Sequence, residues 1–152
     1  MDNQNNSIGF NNQNVPLVNN GIEQIFLGDS YGLFVFKKVE KISTAIYILT
    51  GLMSDIEPMK TRLRDLADEL IQSSLSMSER VWGEDYLQKN ILDSLTEISI
   101  LFNIAELTKM VSKMNHNILS TELQKMIDFL ITSNKNYSSA KIAFPQNIFC
   151  LK

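Results

Sequence analysis

The sequence predicts an all-α protein, an antiparallel up-down four-helix bundle, and three observations carry that prediction. Apolar residues recur at alternating steps of three and four through four separate stretches, the spacing that gathers one face of a helix into a seam. The stretches are bounded by residues that start or stop helices, and the short connections require antiparallel neighbours. A chain of 152 residues with 44% hydrophobic content can build one domain with its own core and is too short for two ordinary ones.

Residues 1 to 33 are expected to form a polar head. Asparagine stands at positions 3, 5, 6, 11, 12, 14, 19 and 20, so the first twenty residues have little to bury against the entropy of ordering and should be disordered. Ile22, Ile25, Phe26 and Leu27 then make a short apolar segment, which either docks loosely on the bundle or serves a partner. The run Gly28, Asp29, Ser30, Tyr31, Gly32 reads as a turn.

The bundle is placed over residues 34 to 133. The first helix runs from Phe34 to about Ser54 with Val35, Val39, Ile42, Ile46, Leu49 and Met53 as its seam. Pro58 lacks an amide hydrogen and suits only a first helical turn, so it fixes the start of the second helix, with Asp55 or Glu57 as cap. The seam there is Met59, Leu63, Leu66 and Leu70, fading at Ser73 and Ser74. Residues 79 to 90 read as a turn or short helix, because Gly83 weakens a helix while Val81, Trp82, Tyr86 and Leu87 are large enough to want burial. The third seam is Ile91, Leu95, Ile98, Phe102 and Ala105, continued by Val111 and Met114 to a stop at Asn115. With His116 and Asn117 as the turn and Asn117 as cap, the fourth helix carries Leu119, Leu123, Met126 and Leu130 and ends near Ser133. Nineteen seam side chains are too few to order some hundred residues, so flanking positions such as Ala45, Leu52, Leu92, Leu101 and Leu107 should also be covered. Residues 134 to 152 form a loose tail in which Ile142, Phe144, Ile148, Phe149 and Leu151 follow no period. That tail is either frayed or a peptide lying over a bundle groove.

Composition narrows the function classes. Cys150 is the single cysteine, which excludes an intramolecular disulfide and points to a reducing interior. The opening residues do not have the build of a secretory signal, and the most apolar window, Ala45 to Met53, is about half the length a bilayer needs. A soluble, cytoplasmic protein is expected. His116 is the single histidine, so the sequence holds neither a metal-ligand pattern nor a Cys-His or Ser-His-Asp arrangement, and the glycines form no phosphate loop. Neighbouring acids such as Glu84 and Asp85 read as a solvated face. The expectation is no enzyme and no cofactor.

Charge is distributed unevenly about a net of −3: residues 65 to 106 hold nine acids against Arg80 and Lys89, and both flanking stretches are basic. Lys37, Lys38 and Lys41 crowd the first turns of the first helix, against its dipole, and Lys60, Arg62 and Arg64 do the same in the second. In an up-down bundle the latter three share an end with Lys109 and Lys113, a candidate anion-binding cap for the phosphates of a nucleic acid. Tyr47 and Ile48 lie off the first seam, so either they flank a broad core-facing stripe or a second subunit or protein partner covers them. With Lys37, Lys38 and Lys41 they make the candidate interaction surface. The aromatic and basic residues 34 to 38 also fit a membrane-interface anchor, but the seam of that helix already has protein partners.

Phe36, Lys37 and Lys38, then Glu40, Lys41, Ala45 and Tyr47, and Glu57, Pro58, Met59, Lys60 with Leu63 and Arg64 together resemble an uncharacterised group of small helical proteins from candidate-phylum bacteria. The likeness spans roughly residues 34 to 133, rests on no catalytic motif, and implies a soluble all-helical bacterial protein with no function to transfer. The leading expectation is a non-catalytic protein-interaction or scaffolding module able to self-associate. The alternative is a nucleic-acid-associated accessory protein acting through the basic bundle end.

Overall fold

Five α-helices and one 3-10 turn make up the computed structural model of the protein, which describes residues 17–79 and 84–136. The fold is all-helical, with no strand among the described residues. The helices are α1 (Leu17–Ile25), α2 (Ser30–Thr50), α3 (Pro58–Ser76, extended by the 3-10 turn Met77–Glu79), α4 (Glu84–Leu107) and α5 (Lys113–Asn136).

The run from Gly28 to Gly32 is the start of α2 and not a turn ahead of it. Gly28 adopts a left-handed conformation that glycine takes without strain. Asp29 then caps the helix, its carboxylate accepting a 2.8 Å hydrogen bond from the Gly32 amide. A Cβ on Gly32 would push that capping carboxylate aside and crowd the Phe26 ring. Helix α2 therefore begins four residues before Phe34. Helix α1 is likewise a correction to the polar head, since residues 17 to 25 are helical. Phe26, just past it, is buried against Phe36 with ring centroids 5.6 Å apart, so the segment from Ile22 to Leu27 docks through one side chain and leaves Ile25 and Leu27 exposed. The expected disorder of residues 1 to 16 lies outside the described residues, as do Val81, Trp82 and the tail from 137.

Between α2 and α3 the chain is pinned by a buried lysine. Lys60 donates to the Met53 carbonyl at 3.3 Å and pairs with Asp55 at 2.6 Å. Glu57 caps α3 by accepting from the Met59 amide, and Pro58 takes the first turn. The α4–α5 turn departs from expectation. Helix α4 stops at Leu107, and Lys109 at φ 66° makes the left-handed step that glycine usually makes, allowing the Met110 and Val111 amides to donate back to the Ala105 carbonyl. Ser112, not Asn117, caps α5 by accepting from the Asn115 amide. His116 and Asn117 are thus helical, Val111 is buried from the turn, and Met114 faces out.

Helix α2 packs on α3 and α5, and α4 packs on the same two. Contacts pair early with late residues in each neighbouring pair: Ser43 with Ala67 and Thr50 with Arg64, Arg62 with Glu97, Gln88 with Leu130 and Asn103 with His116, Phe34 with Phe129. The core holds the expected seams, with Ile91, Leu95, Ile98, Phe102 and Ala105 of α4 completely buried. Of the flanking positions, Ala45, Leu92 and Leu101 pack partly against it, whereas Leu52 and Leu107 are exposed because each lies where its helix gives way to a turn.

Candidate functional site

Helices α2 and α5 make the sparsest contact of the four neighbouring pairs, and an apolar groove of about 330 Å³ opens between them. Its α2 wall comes from Lys38, Lys41, Ile42, Ala45, Ile48 and Leu49, whose steps of three and four put them on one helix face. Asn115, Ile118, Leu119 and Glu122 make the α5 wall by the same spacing. Ile42 and Leu119 are buried at the floor, while Ile48 is 65% and Ile118 61% exposed. Leu52 in the α2–α3 turn and Met114 at the start of α5 are exposed as well, but they do not line the groove. At the other end a second depression of about 190 Å³, lined by Phe34, Lys38, Glu122, Lys125, Met126 and Phe129, continues the furrow toward the end of α5. The two depressions share Lys38 and Glu122.

The rim is charged with opposite signs on its two sides. Lys38 and Lys41 stand on α2. On α5, Glu122 accepts a 2.9 Å hydrogen bond from Lys125, which holds its carboxyl below the usual carboxylate range against the opposing effect of burial, with smaller help from Lys38 and Lys41. Glu122 is therefore a fixed anion at neutral pH.

Three of the five residues singled out as an interaction surface meet at this groove: Lys38, Lys41 and Ile48. Lys38 also stands 5.9 Å from the Phe34 ring centre. Lys37 pairs with Glu40 at 3.6 Å, beside Phe36. Tyr47 faces α3, donating its hydroxyl proton to Asp68 at 2.9 Å beneath the Arg64 guanidinium, 5.0 Å from its ring centre. The Asp68 bond raises the tyrosine's pKa. Exposed as Tyr47 and Ile48 are, neither belongs to a core-facing stripe.

The basic set is not brought together as a free cluster. Lys60 is buried in the α2–α3 turn. Arg62 crosses to Glu97 of α4 through two hydrogen bonds of 2.6 and 2.8 Å and also reaches Glu69, contacts that raise its pKa above the ordinary arginine value. Arg64 donates to Thr50 and covers Tyr47. Lys109 and Lys113 are exposed in and just after the α4–α5 turn. Three of the five bases thus serve intramolecular contacts, which leaves the phosphate-binding reading without a geometric argument. Sequence reasoning missed Ile118 and Glu122. Ile118 carried a signal, since it stands off the fourth seam as Ile48 stands off the first.

Among the described residues no group of three histidine, cysteine or acidic side chains is placed to hold a metal ion, and no helix is long and apolar enough to cross a membrane. No family model, curated protein or solved structure matches the chain.

Proposed function

We propose that the protein is a non-catalytic protein-interaction module, an antiparallel up-down bundle of α2 to α5, that self-associates face to face across the α2–α5 groove. The observation that carries this reading is the groove itself. Two large apolar side chains, Ile48 and Ile118, stand well exposed on the two walls of one apolar depression, and apolar surface of this kind is what protein interfaces cover. The pairing of early with late residues around the four helices supports the bundle topology.

The rim charges favour a second copy as the occupant. A twofold axis running along the groove lays α2 of one protomer over α5 of its partner, so that Lys38 and Lys41 meet a Glu122 at the same level and the interface is self-complementary. The groove's polar groups are Lys38, Lys41, Asn115 and Glu122, which include no nucleophile with an adjacent base. That composition supports association over catalysis.

Sedimentation equilibrium of the full chain tests the reading. The average mass should rise with concentration through the high micromolar range, Ile118→Asp should abolish the rise, and Lys41→Glu should weaken association that Glu122→Lys then restores. A chain that stays monomeric throughout, or a Lys41→Glu effect that the second reversal does not repair, counts against it.

A further inference from the structure

The furrow along α2 and α5 begins beside Phe129 and ends at Ile48 and Asn115, so it runs back from the end of α5 along the helix the chain has just descended. Sixteen residues follow Asn136, and between positions 142 and 151 they include Ile142, Phe144, Ile148, Phe149 and Leu151, with no acidic residue. We infer that this segment of the same chain lies in the α2–α5 groove and competes there with a second copy. The inference rests on the reading of the groove as the association face and adds what controls access to it.

Reach decides in favour of the segment. Helix α5 rises about 1.5 Å per residue, so Glu122 lies about 21 Å and Asn115 about 32 Å back from Asn136. An extended chain covers about 3.3 Å per residue. Returning from Asn136, it brings Ile142 level with Glu122 after about 20 Å and Phe144 level with Leu119 after about 26 Å. Ile148 and Phe149 then have slack to meet Ile48 at the open end. The first large apolar side chains of the segment arrive where the apolar floor begins. Of the five residues before Ile142 only Tyr137, next to the end of α5, is large, and the five cross the smaller depression by Phe34 and Phe129. A segment tethered this closely acts at a millimolar effective concentration, above that of a second copy in dilute solution. Pro145 removes an amide hydrogen and favours an extended path over a sixth helix.

Cys150 provides the test because it is the single thiol and accepts a nitroxide label without any substitution. In the full chain the label should broaden the methyl resonances of Ile48 and Ile118 at least several-fold more than those of Ile100 and Ile104 on α4. Replacing both Ile142 and Phe144 by aspartate should erase that difference. Equal broadening on α4 overturns the inference. So does broadening seen only when labelled chains are mixed with isotope-enriched unlabelled ones, since that places the segment on a neighbour. The relaxation measurement reads the segment's position whether or not the chain associates, so its failure is separable from that of self-association. By sedimentation the double aspartate variant should associate about tenfold more tightly, as expected when the competent state ceases to be a minor one. Unchanged or weaker association overturns the competition.

Discussion

Helix α2 has two flanks, and the protein treats them in opposite ways. Toward α3 it is closed by polar contacts layered over the seam: the buried Ser43 hydroxyl donates to the Ala67 carbonyl, Tyr47 to Asp68, and Arg64 to Thr50. Toward α5 it meets Phe129 through Phe34 and then parts, leaving an apolar floor under charged rims. The α3 flank is specified by directional bonds that fix how two helices lie together. The α5 flank offers area without direction, which suits a surface that has to exchange occupants.

The largest expected effect separates the two flanks by a pair of substitutions two residues apart. Ile46 is completely buried, so Ile46→Ala should cost about 2–5 kcal/mol in urea denaturation. Ile48 is covered from one side at most, and Ile48→Ala should cost about 1 kcal/mol or less. Equal losses would break the contrast, because they would mean that the groove is as filled as the core.

Next in size is the turn that anchors the closed flank. Lys60→Ala leaves the Met53 carbonyl without its donor at a buried site, an expected loss of about 1–3 kcal/mol. Ser43→Ala removes one neutral hydrogen bond, to Ala67, and should cost about 0.5–1.5 kcal/mol. Neither change should alter association by sedimentation, since neither residue lines the groove. Loss of association in Ser43→Ala would show that the two flanks are coupled through α2.

The seams were legible in the sequence because burial is periodic, and Leu95, Ile98 and Phe102 need no more than period to be found. Pro58 was legible because a missing amide hydrogen admits it to few positions. The turn at Lys109 was not, since a lysine took the left-handed step without the glycine that marks such steps, so the periodic pattern seemed to continue through Val111 to Met114. The start of α2 was missed for the converse reason: Gly28, Asp29 and Gly32 have the composition of a loop and work as a helix cap. Of the groove, the sequence showed Lys38, Lys41 and Ile48. On its α5 wall only Ile118 carried a signal, because which neighbouring helices part is settled by packing among all the helices, and period reports only which face turns inward.

The smallest expected effect is a pH dependence that tells the α3–α4 contact from the open α5 flank of α2 by what each carboxylate does. Glu97 is held below the usual carboxylate range by its hydrogen bonds from Arg62, and Glu122 by Lys125 with Lys38 and Lys41 nearby. A carboxyl depressed in the folded state binds its proton more readily when unfolded. Its contribution to stability is therefore complete above the unfolded value, about 4.3, and is lost as pH falls through the folded value. Glu97→Gln should flatten the acid limb of the stability curve while leaving association alone, and the effect should stay small because both partners are half exposed. Protonating Glu122 instead removes the acid that faces Lys38 and Lys41 across the proposed twofold. Association of the parent chain should then weaken as pH falls through the lowered value of Glu122, below the usual carboxylate range, and Glu122→Gln should associate weakly at every pH. If association in that variant kept the parent's acid dependence, the charge on Glu122 would have no part in holding two copies together, and the self-complementary rim would be the step to abandon.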